Sequence, residues 1–182
     1  GTATLSVTTS VSGTGNLVLN NNSSTNGGIT LQSSVNNTGT ITNSGTGTGN
    51  SSVTISGIIG TNVTKVMQNS IGSALNLSGA NTFTTGRLIR AGKVSGSTSA
   101  SAFGGSGTGT ITIGDTSGSL NATLAANLAS TFANPIVLAS GNTGTLTVGN
   151  LAASVVFSGG VTGTNNLTIN SGTAGGTLTF ST

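Results

Sequence analysis

Residues 28–55 carry the pattern that decides the fold, in the three runs Gly28-Ile-Thr-Leu31, Gly39-Thr-Ile-Thr42 and Ser52-Val-Thr-Ile55. Apolar and polar residues alternate within each run, as they do in a β-strand that buries one of its two faces. Two further runs of the same type precede them, Ala3-Thr-Leu-Ser-Val7 and Asn16-Leu-Val-Leu19. Each run therefore predicts a short strand.

These strands recur at a fixed distance along the chain. The first apolar residues of the five runs are twelve positions apart; they are Leu5, Leu17, Ile29, Ile41 and Val53. A second apolar residue follows two positions later in every run except the fourth, where Asn43 interrupts the pattern. Corners rich in Gly, Asn and Ser separate the runs, and these residue types suit sharp turns. One strand and one corner per unit predict an all-β fold, a parallel β-helix or β-solenoid of stacked coils.

The pattern continues to the end of the chain with a looser period. Beyond Asn62 the runs include Thr110-Ile-Thr-Ile113, in which we expect the Ile side chains to point inward and the Thr side chains outward, and Thr177-Leu-Thr-Phe180. We therefore expect residues 1–182 to form a single continuous solenoid segment. Residues 96–109 are dense in Ser, Ala and Gly, and we interpret them as a loop that projects from the coil.

Low sequence complexity leaves a disordered Gly/Ser/Thr chain as the alternative. The spacing of the β-branched residues and a mean hydropathy of +0.24 favour a folded chain. We expect no membrane-spanning segment. The longest fairly apolar stretch, residues 125–139, is interrupted by Ser130, Thr131, Asn134 and Pro135.

The inventory of reactive side chains is very small. The 182 residues contain no His and no Cys, and Asp115 is the single side-chain carboxylate. Acid–base catalysis needs at least two titratable groups, and glycosidases use a carboxylate pair. Triads that depend on His or Cys and zinc sites are ruled out in the same way. We expect no enzymatic activity, no cofactor and no metal site, and we interpret Asp115 as a residue that caps a turn.

Four cations, Lys65, Arg87, Arg90 and Lys93, give the chain a formal net charge of +3. Nucleic-acid binding needs clustered cations and is usually helped by aromatic stacking surfaces, whereas this sequence has no Trp and no Tyr. We therefore expect no nucleic-acid partner. Arg87, Arg90 and Lys93 form one small group in the sequence, and they are the candidate residues for contact with a partner.

The stretch from Val66 to Gly118 has the most specific motifs. It contains Leu75-Asn-Leu-Ser-Gly-Ala-Asn-Thr-Phe-Thr84, Arg90-Ala-Gly-Lys-Val94 and Gly107-Thr-Gly-Thr-Ile-Thr-Ile-Gly114. This stretch resembles the passenger-associated repeat of bacterial autotransporters. It departs from the family pattern at Phe83, where Tyr is common, and at Lys93, where Thr is usual. The resemblance implies a right-handed parallel β-helix that a bacterium exports to its surface or secretes, with no catalytic or ligand residue in the motif.

Three functions are compatible with these observations. The leading hypothesis is a structural segment of an extracellular filament or surface fibre, because the repeat begins and ends within its own pattern and open strand edges invite end-to-end or lateral assembly of the protein with itself. A second hypothesis is the stalk or binding segment of an autotransporter-type adhesin. There, the segment from Ser95 to Gly109, together with Arg87, Arg90 and Lys93, would contact glycans or proteins of a host or of a cell surface.

The third hypothesis is an ice-binding solenoid. It rests on the Thr-x-Thr pairs Thr40/Thr42, Thr110/Thr112, Thr145/Thr147 and Thr177/Thr179. These pairs are irregularly spaced, whereas an ice-matching plane needs such pairs on consecutive coils.

Overall fold

The chain folds as a β-solenoid of about seven coils. The structure is a computed structural model that describes residues 3–105, 107–152, 154–172 and 176–182. Within these ranges the chain is all-β, and its strands pair in parallel. The prediction of an all-β parallel solenoid is therefore confirmed. The remaining residues of the predicted segment 1–182 lie outside the described ranges.

Seventeen short strands account for the regular structure of the described residues. They are β1 (Leu5–Val7), β2 (Leu17–Leu19), β3 (Ile29–Leu31), β4 (Gly39–Asn43), β5 (Ser52–Ile55), β6 (Val63–Asn69), β7 (Ala74–Leu77), β8 (Arg87–Gly96), β9 (Ile111–Ile113), β10 (Ala122–Ala126), β11 (Thr131–Phe132), β12 (Ile136–Leu138), β13 (Leu146–Asn150), β14 (Ser154–Phe157), β15 (Val161–Thr162), β16 (Leu167–Ser171) and β17 (Thr177–Phe180). None of the described residues forms a helix long and apolar enough to span a membrane.

Each coil passes through three faces in the order A, C, B. Face A consists of β1, β3, β5, β7, the second half of β8, β10, β13 and β16. Face B consists of β2, β4, β6, the first half of β8, β9, β12 and β15. Face C consists of β11, β14 and β17, and in the early coils of single bridges from Val11 to Val35 and from Val35 to Ile59. A corner then leads from face B back to face A.

The twelve-residue repeat is half of a coil. Leu5 pairs with Ile29 on face A, whereas Leu17 pairs with Ile41 on face B. Parallel strands that stack directly on one another must be a full turn apart in sequence, so one coil takes up two repeat units. The looser period of the second half has a visible origin: Val94 pairs with Leu124, because the chain between them includes two long connections.

The core consists of columns of inward side chains, one residue per coil. On face A the column contains Leu5, Ile29, Val53, Leu75, Val94, Leu124, Val148 and Ile169. On face C aliphatic residues occupy the first coils and Phe residues the later ones. The ring centroids of Phe103 and Phe132 are 5.0 Å apart, and those of Phe132 and Phe157 are 5.7 Å apart. Ile111 and Ile113 are buried, as the alternation predicts.

Asn43, which interrupts the apolar pattern, is fully buried at the end of face B. Its Nδ2 donates hydrogen bonds to Oε1 of Gln68 on the next coil and to the carbonyl oxygen of Ser73, both at 2.8 Å. Gln68 Nε2 in turn donates to the carbonyl oxygens of Ser70 and Ser73. The two amides satisfy main-chain groups of a corner that apolar side chains would leave without partners.

The segment of residues 96–109, expected to project as a loop, is partly folded into the coil. Ala102 and Phe103 are almost completely buried, and the Phe103 ring lies against Gly96. Thr98 and Thr108 remain on the surface, while Ser106 lies outside the described residues. The small residues of this segment, such as Gly96, leave room for the buried Phe103 ring.

Close stacking of the coils restricts several glycines, of which Gly57 is a clear case. A Cβ atom at Gly57 would lie far inside van der Waals contact of the Ser33 carbonyl oxygen on the previous coil. At Gly86 the same atom would meet a main-chain oxygen at 3.7 Å, an ordinary contact. We expect Gly57→Ala to lower the free energy of unfolding by about 1–3 kcal/mol, because the backbone must shift. Gly86→Ala should change it by less than about 1 kcal/mol.

Urea unfolding followed by circular dichroism compares the two variants. Equal midpoints for Gly57→Ala and the unmodified chain would show that the coils are not in close contact at this corner.

Candidate functional site

The corners between face B and face A differ greatly in length, and this difference shapes the surface. From the first coil to the seventh they comprise residues 20–28, 44–51, 70–73, 90–92, 114–121, 139–145 and 163–166. The third and fourth corners are the shortest of the first six, and they lie between the long second and fifth corners. In the fourth coil β8 crosses directly from face B to face A, with Gly92 in a left-handed conformation at φ +77°. The result is a depression across the solenoid, here called the corner cleft.

The corner cleft contains two adjoining cavities of about 530 Å³ each. Both are lined by Gly49, Ile71, Gly72 and Leu120. Ile71 is 75% exposed and Leu120 is 49% exposed, although large apolar side chains are mostly buried in this protein. The rim is polar, with Ser51, Ser119, Asn121, Thr123 and Lys93 on one side. The sequence pattern did not predict a role for Ile71 or Leu120. The one feature that could have indicated them is that each is a single aliphatic residue within a Gly/Ser-rich corner.

Arg87, the first of the three candidate contact residues, is not available to a partner. Its side chain points inward in the core column of face B, between Val66 and Ile111, and it is only 4% exposed. The guanidinium carbon lies 4.5 Å from the centroid of the Phe83 ring, and Nη1 donates to the Gly109 carbonyl oxygen at 2.6 Å. Among the described residues, Nε and Nη2 find no hydrogen-bond partner. Burial lowers the pKa of Arg87 to about 10.

Arg90, the second candidate, lies on the outer surface and is already paired. Its Nη2 and Nε both donate to Oδ2 of Asp115, at 2.6 and 2.9 Å. The hydrogen bond from Arg90 lowers the pKa of the Asp115 carboxyl group, and the Thr116 N–H, which donates to Oδ1, lowers it further. The turn-capping role expected for Asp115 is present in this bond to Thr116, and the ion pair joins two successive coils.

Lys93, the third candidate, lines the corner cleft on face A. Its partner on the adjacent strand β10 is Thr123, and Ala74 also lines this part of the cleft. Among the described residues the one ion pair is that of Arg90 with Asp115, so the Lys93 ammonium group has no anionic partner there. The structure therefore separates the three cations into a buried group, a paired group and one cation in a cleft.

The Thr-x-Thr pairs are distributed over three faces. Thr40 and Thr42 lie on face B, as does Thr112, whereas Thr147 lies on face A. Thr177 and Thr179 lie on face C. The four pairs do not share one surface. The longest column of outward Thr residues on consecutive coils of face A is Thr123, Thr147 and Thr168.

Comparison with known proteins adds no identification. No family model, no curated protein and no solved structure matches this chain.

The buried Arg87 gives a stability prediction. Because two of its guanidinium nitrogens have no hydrogen-bond partner and its charge has no carboxylate partner within the described part of the chain, we expect Arg87→Met to keep or raise the free energy of unfolding, by up to about 2 kcal/mol. Arg90→Met, the surface control, should lower it by less than about 1 kcal/mol. Chemical denaturation at pH 7 measures both. A loss above about 2 kcal/mol for Arg87→Met would show that the bonds to Thr108 and Gly109 outweigh the burial of the charge.

The same site gives a prediction at high pH. The folded-state pKa of Arg87, about 10, is below the ordinary value of an arginine side chain, so the folded chain releases this proton at a lower pH than the unfolded chain does. The free energy of unfolding of the unmodified chain should therefore rise relative to that of Arg87→Met as the pH increases above 10. A constant difference between pH 8 and pH 11 would contradict the lowered pKa.

The single carboxylate gives a prediction at low pH. The pKa of Asp115 is lowered in the folded state, so its contribution to stability is present at neutral pH and is lost as the pH falls through the folded-state pKa. Because Asp115 is partly exposed to solvent at the surface and is the only acidic side chain, we expect the loss between pH 7 and pH 2 to stay below about 1 kcal/mol. Thermal melts across this range, with Asp115→Asn as the control, measure it. A cooperative acid unfolding transition above pH 3 would be inconsistent with this expectation.

Proposed function

We propose that this chain is a structural segment of a bacterial extracellular filament or surface fibre. The observation that supports it best is the unbroken parallel ladder: faces A and B continue through all the coils with at least one strand per coil. A continuous ladder of this kind would give a fibre length and stiffness. It needs no reactive side chain for this purpose. The composition agrees with this role, because a chain with one side-chain carboxylate and no His or Cys offers no catalytic pair.

The proposed location, outside the cell, rests on the resemblance of residues 66–118 to autotransporter passenger repeats. Low charge is also compatible with close association of rods, since 3% charged residues leave little electrostatic repulsion between neighbours. The adhesin alternative receives less support from the geometry, because Arg87 and Phe103 of its expected contact region are buried.

The outermost described coils suggest how the ladder is extended. Leu5 and Ile169 belong to the same core column of face A, and they are 60% and 59% exposed, whereas the residues between them are mostly buried. A further β-solenoid coil that continued the ladder at either edge would cover them. We propose that such a coil comes from another copy of the chain, which pairs through parallel strands.

Electron microscopy of the purified polypeptide at high concentration tests this proposal. We expect fibres whose diffraction shows a repeat of about 4.8 Å along the fibre axis, the spacing between strands. Ile169→Lys should abolish or shorten them, because it places a charge in the column that the next coil would bury. Leu151→Lys, which alters an exposed aliphatic residue outside that column, should not.

Isolated short rods at every concentration would contradict assembly of this chain with itself. Fibres that form equally well with Ile169→Lys would contradict pairing through the open strand edge and would indicate lateral contacts.

A further inference from the structure

The corner cleft has the size of a ligand site. Each of its two cavities, at about 530 Å³, exceeds the lower limit of about 300 Å³ for pockets that bind small molecules. Its walls are the second and fifth corners, which are three coils apart and therefore separated by roughly 14 Å at about 4.8 Å per coil. Its floor is rigid, because the Gly92 N–H donates to the Asn121 carbonyl oxygen and the Ala74 N–H donates to the Ser51 carbonyl oxygen.

The hydrogen bonding of this floor restricts the class of ligand. A peptide that joins a β-protein as an extra strand needs an open row of main-chain donors and acceptors. Here those groups are already used between neighbouring coils, as the bonds of Gly92 and Ala74 show. Recognition must therefore come from side chains: two exposed aliphatic groups, several hydroxyl and amide groups, and one ammonium group.

The charge at the rim restricts the ligand further. Lys93 is the cation that lines the cleft, and the single acidic side chain of the protein, Asp115, is bound to Arg90. Within the described residues no side-chain carboxylate is therefore left to neutralise Lys93. An anionic group of a ligand fits this position, because an ammonium group acts as a point charge for carboxylates.

We propose that the corner cleft binds a short acidic saccharide. Lys93 pairs with its carboxylate, Ile71 and Leu120 contact the apolar C–H face of a sugar ring, and the side chains of Ser119, Asn121 and Thr123 exchange hydrogen bonds with its hydroxyl groups. This site does not depend on the filament role, since it lies on the side of the solenoid and leaves the outermost strands free.

Isothermal titration calorimetry at low salt tests the charge. The probes are a glucuronate-containing trisaccharide and the uncharged glucose trisaccharide. We expect the acidic probe to bind at least fivefold more tightly than the neutral one, and Lys93→Gln to remove this difference. Lys93→Arg should restore most of it. Lys65→Gln, which removes an exposed lysine from face B outside the cleft, is the matched control and should leave binding unchanged.

A second pair of variants tests the apolar contacts. Ile71→Asn should weaken binding of both trisaccharides by about fivefold or more, whereas Ile58→Asn should not. Ile58 is an aliphatic residue of the surface, 47% exposed, that does not line the cleft. Far-UV circular dichroism and melting temperature confirm that each variant keeps the fold of the unmodified chain.

Several results would overturn the proposal. These are no heat of binding for the acidic trisaccharide at millimolar concentration, an equal loss of affinity in Lys65→Gln and Lys93→Gln, and tighter binding of a tetraglutamate peptide than of the acidic trisaccharide. The second result would indicate nonspecific attraction to a cationic protein, and the third would indicate an acidic peptide site. Fibre formation is scored separately by microscopy, so a failure here leaves the filament proposal unaffected.

Discussion

The main-chain hydrogen bonds between successive coils are the constraint on which the rest of this structure depends. Among the described residues, each inner strand of faces A and B pairs in parallel with the strand one turn earlier and with the strand one turn later, so each coil must return the chain to the same register. Leu5, Ile29 and Val53 meet this condition at equal intervals, and later coils meet it with different numbers of residues. Where two coils come into close contact the ladder leaves no room for a Cβ atom, as at Gly57.

The corners are free to vary because they lie outside the ladder. Insertions and deletions between face B and face A change the outline of the rod while the strands keep their pairing. Two short corners between two long ones produce the corner cleft, and they leave Ile71 and Leu120 on its surface. The same architecture thus combines a continuous strand ladder with a local concave site. The filament proposal uses the first property, and the saccharide proposal uses the second.

The buried polar side chains Asn43 and Gln68 lie where the chain leaves the ladder and enters a corner. Asn43 and Gln68 replace aliphatic residues where the main chain leaves the strand, and they donate hydrogen bonds to the carbonyl groups of the corner. Arg87 is different, since it stands in an aliphatic column, and two of its nitrogens have no partner among the residues that the structure describes. Its position beneath the turn of residues 96–109, with Nη1 bonded to Gly109, links this irregular connection to the coil. The cost of this burial is visible in the lowered pKa of the guanidinium group.

The sequence by itself determined the local structure: alternation predicted the strands, Gly/Asn/Ser clusters predicted the corners, and the absence of paired titratable groups limited the chemistry. These properties depend on neighbours within a few positions, which a linear pattern displays directly. Only the tertiary structure decided that the twelve-residue unit is half a coil, that Phe103 fills the turn expected to project, and that Arg87, Arg90 and Lys93 have three different environments. Those outcomes depend on which residues meet one turn later, about 19 to 30 positions along the chain. The lengths of the connections between strands set that distance, and the local alternation of residues does not predict it.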